Sequence, residues 1–160
     1  MCDSVTNIKI AGLGGMGVLT ATQILAEVLF RQGWDVKKAE VHGMSQRGGS
    51  ICSDVRFGKR VFSPMIPEGE VDYLVLFQED QRALYARDSS SKTVVIGASC
   101  VDASRLASKK ALNVAMLGVL SRRLDAPAAL WMDVIRATLP PRLHAANEAA
   151  FELGRQTVRD

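Results

Sequence analysis

The 160-residue sequence has no run that approaches the roughly 18 consecutive apolar residues needed to cross a membrane. Its first residues, Met1-Cys2-Asp3-Ser4, lack the basic start and apolar core of a secretory signal, so the expected address is the cytoplasm. Aromatic residues make up only 6% of the chain, and no basic stretch is interleaved with them. The formal net charge of +3 is small and dispersed. Together these exclude the stacking platforms and charged stripes of a nucleic-acid binder. Cysteine is scarce as well: Cys2, Cys52 and Cys100 are far apart and form no C-x-x-C pair. That spacing supplies neither a zinc site nor an iron–sulfur ligand set, and the expectation is unliganded thiols with no metal on this chain. The 48% hydrophobic and 23% charged fractions are those of an ordinary globular protein, and no linker or internal repeat divides the chain, which reads as one domain over 1–160.

The apolar pattern alternates between strand and helix periods. Asn7 to Ala11 reads as a first strand that ends in a glycine turn at Gly12. From Val18 to Phe30 the residues Val18, Ala21, Leu25, Val28 and Leu29 recur at helical spacing, and Gly33 closes the helix. A second strand is predicted over Trp34 to Val41. Ile51 to Phe57 and Arg60 to Ser63 read as two strands joined by a Gly58-Lys59 turn. Tyr73 to Phe77 and Thr93 to Ile96 have the composition of buried strands. Strand signals stop beyond Gly97, and helices are expected from Asn113 to Leu124, after Pro127, and from Arg142 to Val158. The fold class is therefore α/β: a single Rossmann-like three-layer domain with a mixed, mostly parallel sheet and a helical C-terminal third.

Two segments carry chemistry. Gly12-Leu13-Gly14-Gly15-Met16-Gly17 satisfies G-x-G-x-x-G between a strand and a helix. Glycines there allow a tight turn and close approach of an anion to the amides of the helix N-terminus. An acid about twenty residues on, able to hold a ribose, is Asp35 or Glu40. The motif fits three readings: a site for a phosphate-bearing ligand, an empty turn whose glycines serve packing, or a true NAD or FAD site.

The second segment runs Glu40-Val41-His42-Gly43-Met44-Ser45-Gln46-Arg47-Gly48-Gly49-Ser50. It gathers an imidazole, a carboxylate, an amide, a guanidinium and three glycines. Arg47 has paired donors suited to a carboxylate or phosphate, and His42 can exchange a proton near neutral pH. Loop scaffolding or a subunit interface, direct ligand contact, and proton transfer by His42 all remain open. No partner acid or nucleophile stands near His42 in sequence, so no catalytic residue is assigned beyond that weak candidate.

These segments carry a resemblance. G-L-G-G-M-G-V-L-T-A within Ile10 to Leu29, then E-V-H-G-M-S-Q-R-G-G-S, S-P-M-I-P-E-G-E-V-D-Y-L-V, and N-V-A-M-L-G-V-L from Asn113 resemble in order the γ domain of pyruvate and 2-oxoacid ferredoxin oxidoreductases. The H-G-M-S-Q-R-G-G-S form is most similar to the β subunits of the indolepyruvate branch, and Ala149 to Gly154 is similar to the family's final helix. The resemblance implies a non-autonomous subunit of a complex that oxidatively decarboxylates a 2-oxoacid to an acyl-CoA and passes electrons to ferredoxin. It implies that thiamine diphosphate, magnesium and iron–sulfur clusters reside on a larger α subunit. The ligand- or interface-binding positions are then Gly12, Gly14, Gly15, Met16 and Gly17, with His42, Gly43, Ser45, Gln46, Arg47, Gly48, Gly49 and Ser50, and coenzyme A is a candidate ligand of the glycine turn.

Two departures stand out. The family usually has Gln where Met16 stands, and the connection from Gly97 to Leu112 is shorter than the family pattern leads one to expect. Two rivals follow from the same features: a free-standing dinucleotide-binding oxidoreductase, and a structural or regulatory relic of the family.

Overall fold

The computed structural model describes residues 4–42 and 49–157, with the side chain of His42 excepted. Five strands form one sheet: β1 (Thr6–Leu13), β2 (Asp35–His42), β3 (Ser50–Gly58), β4 (Val71–Leu76) and β5 (Ser89–Gly97). Their order is β2-β3-β1-β4-β5. β4 and β5 run parallel to β1, whereas β3 is antiparallel to both β1 and β2. Four strands thus share one direction and β3 alone opposes them, which gives the mixed, mostly parallel sheet expected from the sequence.

Side-chain alternation along the strands divides the core. Ile8, Ile10, Val55, Phe57, Val75 and Ile96 point to one face, which is covered by α1 (Val18–Arg31), α2 (Leu112–Ser121), α3 (Ala128–Thr138) and α4 (His144–Gln156). The opposite face, built from Ala11, Cys52, Leu74 and Leu76, is covered more thinly by Ile66 from the β3–β4 connection and by Tyr85 from the 3-10 segment Glu79–Tyr85. On the helical side α2 and α4 cross backbone to backbone. A Cβ at Gly118 would run into the carbonyl oxygen of Phe151, and one at Gly154 into that of Ala115. Trp131 of α3 stacks on Phe151 of α4 at 5.6 Å, and both are fully buried.

One expected strand is absent. Residues 60–63 do not pair with β3, because both of its edges are taken, one by β1 and one by β2. The segment is instead fastened by side chains. Val61 N–H donates to the Asp35 carboxylate at 2.7 Å, and the Arg56 guanidinium donates to the carbonyls of Ser63 and Met65. The hairpin that forms is β2–β3, joined by 43–49, with His42 opposite Ile51.

Beneath the thin face lies a buried ion pair. Lys9 of β1 donates to Asp54 of β3, the residue directly opposite, and Asp54 also accepts from Ile66 N–H at 3.1 Å. The Asp88 carboxylate lies 3.7 Å from the same ammonium. Burial alone pulls the Lys9 ammonium down, but the Asp54 hydrogen bond and charge, with Cys52 and Asp88, outweigh it and leave the lysine raised above its ordinary value. A raised lysine contributes stability that is complete below the ordinary lysine range and is lost as pH climbs through the raised value.

Two outcomes follow. Lys9→Met should cost about 3–5 kcal/mol in urea unfolding, because it leaves Asp54 buried without its cation, while Lys9→Met/Asp54→Leu should recover most of that loss. Gly154→Ala should cost about 1–3 kcal/mol in the same assay, since its methyl group forces α2 and α4 apart.

Candidate functional site

The C-terminal ends of β1, β2, β4 and β5 lie at one end of the sheet, the end at which α/β proteins receive ligands. β1 leaves the sheet there at Leu13 and turns into α1 over Gly14–Gly17. Gly15 and Gly17 have φ of 86° and 78°, the left-handed region that side chains avoid. Three contacts fix the turn. Met16 N–H donates to the Leu13 carbonyl at 3.1 Å, the Met16 sulfur accepts from Leu13 N–H at 3.3 Å, and Gly14 N–H donates to the Gly49 carbonyl at 3.0 Å. The Met16 thioether therefore closes the turn on itself. Gly12 serves packing, as a Cβ there would press on Phe77 and Val18 at 3.1 Å.

The bond from Gly14 to Gly49 joins the two sequence segments. Because β3 pairs with β1 in the register Leu13↔Ser50, the loop's C-terminal end is delivered directly beside the glycine turn. Ser50 Oγ then donates to the Gln81 side chain at 2.8 Å, which ties the same point to the 3-10 segment after β4. His42 ends β2 at the loop's other stem. Gly43, Ser45, Gln46, Arg47 and Gly48 lie outside the described residues.

The turn also borders a cleft of about 300 Å³, lined by Gly15, Gly17, Thr20, Lys110, Asn113 and Asn147 among others. Asn113 is its back wall: its Nδ2 donates to the Gly17 carbonyl at 3.1 Å and fills the space a side chain at Gly17 would need. Asn147 donates to the Leu143 carbonyl at 2.8 Å. α1 has no acidic residue in its first turn, so its N-terminal dipole faces the cleft unopposed by its own side chains. Lys110 also lines the cleft, so its polar side can receive an anion, while Leu139, Leu143 and Ala146 give it an apolar side. Lys110 and Asn147 were missed in the sequence. They come from the 3-10 turn Lys109–Ala111 and from α4, and no local pattern says that either folds over Gly17.

The acids expected to hold a ribose are not here. Asp35 opens β2 at the far end of the sheet, where Lys37 and Val61 N–H hold its carboxyl below the usual range. Glu40 lies 3.5 Å from Lys38 on the edge strand. The cause is topological: β3 is inserted between β1 and β2, so the strand that would carry a ribose-binding acid is not the neighbour of the glycine turn.

The remaining cysteines are dispersed too. Cys52 is buried on β3, its thiol pushed up by burial, and Cys100 lies just beyond β5. Among the described residues no group of three or more His, Cys, Asp or Glu side chains is placed to hold a metal ion, and no helix is long and apolar enough to cross a membrane.

The family model for pyruvate ferredoxin/flavodoxin oxidoreductase matches residues 7–157. Indolepyruvate oxidoreductase subunit IorB of Thermococcus kodakarensis is 31% identical over 194 aligned positions, which cover 96% of each chain. At least 34 of those positions (194 less 160) have no counterpart here. Among solved structures, the pyruvate oxidoreductase subunit PORC of Thermotoga maritima has a TM-score of 0.80 at 19% identity and covers 97% of both chains. A 2-oxoglutarate:ferredoxin oxidoreductase of Magnetococcus marinus, solved with 2-oxoglutarate, coenzyme A and succinyl-CoA bound, has a TM-score of 0.76 at 17% identity; the match covers 94% of this chain and 30% of that one. Because the family model spans residues 7–157 and a relative 31% identical covers 96% of the chain, this chain belongs to the pyruvate ferredoxin/flavodoxin oxidoreductase family.

Proposed function

We propose that this chain is the small, non-autonomous subunit of a thiamine-dependent 2-oxoacid:ferredoxin oxidoreductase that acts on indolepyruvate or another aryl pyruvate. The observation that carries this reading is the convergence of the glycine turn and the β2–β3 loop at one end of the sheet, in a chain similar to an IorB subunit over nearly its whole length. In this reading a larger α subunit holds thiamine diphosphate, magnesium and the iron–sulfur clusters, and passes electrons to ferredoxin. The small subunit completes the assembly in the cytoplasm. It contributes the loop 42–50, with Arg47 as the cationic contact, as part of the shared surface.

Coenzyme A, when bound, supplies the thiol that takes up the acyl group. The cleft beside the turn fits its phosphates. Backbone amides at the start of α1 would face the diphosphate, Lys110 would neutralise part of its charge, and Asn113 keeps the turn in shape by holding the Gly17 carbonyl. The chain's own task is binding and orientation; we assign it no proton-transfer step, and His42 stays a residue of the loop stem.

A free-standing dinucleotide enzyme is a poorer account, because the strand beside β1 is the antiparallel β3 and neither Asp35 nor Glu40 reaches the turn. Calorimetry with NAD, NADP or flavin nucleotides should give no saturable heat.

Purification from the native source should recover a larger chain with this one, and oxidation of an aryl pyruvate should require both; full activity from this chain alone would refute the division of labour. Lys110→Glu should weaken coenzyme A binding to the assembled complex by about tenfold or more, the scale of one charge-assisted contact, without dissociating it. Arg47→Ala should reduce assembly or turnover and leave the melting of the isolated chain unchanged.

A further inference from the structure

The two edges of the sheet are built differently. β2 presents Asp35, Lys37, Lys38 and Glu40, which pair along the strand: Lys37 with Asp35 at 2.8 Å and Lys38 with Glu40 at 3.5 Å. Charges of this kind hold a second strand away from an edge. β5, at the other edge, pairs only with β4 among the described residues, and its register is continuous from Val94 to Gly97. That run is Val94-Val95-Ile96-Gly97, which contains no charge, and Val94 and Val95 are only half-buried. The β2 edge is charged along its length, whereas β5, past Lys92 and a break in its register against β4, offers a short uncharged row of strand backbone.

Beside the unguarded edge, on the face away from the helices, runs a groove of about 510 Å³. Leu74, Val95, Arg82, Ala83 and Ala86 line it, together with four hydroxyl-bearing residues of β5 between Ser89 and Thr93. Two exposed cations stand here, Arg82 and, on β5 itself, Lys92. The carboxylates nearby are engaged within the chain. Glu79 accepts from Ser99 N–H and Oγ and is held below its ordinary range first by them and then by the Arg82 charge, with no direct ion pair between the two; Asp80 accepts from Gln78, and Asp88 faces Lys9. An open strand edge supplies main-chain hydrogen bonds to an incoming strand, and a groove alongside it selects alternate side chains.

We infer that β5 receives an extended segment of the larger subunit as a sixth strand, with a small apolar side chain against Leu74 and Val95 and an acidic side chain against Arg82. This rests on the subunit reading above and names the place and manner of one contact. A second copy of the chain is the poorer occupant: the strand it would offer, Thr93 to Gly97, has no acid for Arg82.

The test uses the complex reconstituted from both full-length chains. Arg82→Glu and Val95→Glu should each weaken assembly about tenfold or more, whereas Lys38→Glu on the guarded edge should leave it unchanged. Arg82 is exposed, so its variant keeps the test sound if Val95→Glu fails to fold. Amide hydrogen exchange over Val94–Gly97 should slow on assembly. Unchanged assembly in Arg82→Glu together with unchanged exchange at β5 overturns the inference. So does a wild-type chain that self-associates through β5, with the association lost in Val95→Glu. A complex that assembles through β5 yet oxidises no 2-oxoacid refutes the functional reading and upholds the strand addition.

Discussion

The antiparallel strand β3, inserted between β1 and β2, is the constraint on which the site depends. In a plain β–α–β unit the second strand would lie beside the first and carry its own residues to the glycine turn. Here the chain passes over β1 through α1, lays β2 one place further out, and folds β3 back into the gap. The register Leu13↔Ser50 then forces the β2–β3 loop to finish against Gly14. The inserted strand is held in place by more than its ladder hydrogen bonds. Lys9 and Asp54 face each other across β1 and β3 in a buried pair, and Asn7 accepts from Arg56 two residues along the same pairing. Because the pair is satisfied on both sides and joined by Ile66 N–H, slipping the strand by one residue would expose apolar side chains and bury unpaired charges at once.

The same insertion explains which parts of the molecule were legible in the sequence. All five strands, α1 and the helical C-terminal third follow from periodicity and from Gly33, Pro127 and Pro140, because each is decided by local pattern. The strand expected over 60–63 failed because a Gly-Lys turn signal says nothing about whether the partner edge is free. Asp35 failed as a ribose ligand for a related reason, since counting twenty residues from a glycine motif presumes that β2 is β1's neighbour. Half of the cleft was invisible for a third reason: Lys110 and Asn147 meet the turn only through the packing of α2 and α4, whose closeness depends on Gly118 and Gly154.

The two faces of the sheet divide the work. The helical face is deep and apolar, locked by the α2–α4 crossing and the Trp131–Phe151 stack, and it supplies stability. The other face is thin, with a buried ion pair, a buried thiol and a tyrosine whose hydroxyl is pushed upward chiefly by burial. Phe62, Met65 and Leu84 are exposed on the connections that make up this thin layer. A subunit that works within a complex needs a stable back and an unfinished front, and the sheet separates the two.

In the proposed assembly the glycine turn, the β2–β3 loop and the cleft beside them act as one site, with coenzyme A's phosphates against α1. The most direct measurement is the structure of the assembled complex with coenzyme A bound. The account predicts the diphosphate within hydrogen-bond distance of the first-turn amides of α1 and of Lys110, with loop 42–50 in contact with the larger chain. Coenzyme A held entirely by the larger chain, with the cleft at Gly15–Gly17 closed and the loop facing solvent, would contradict it.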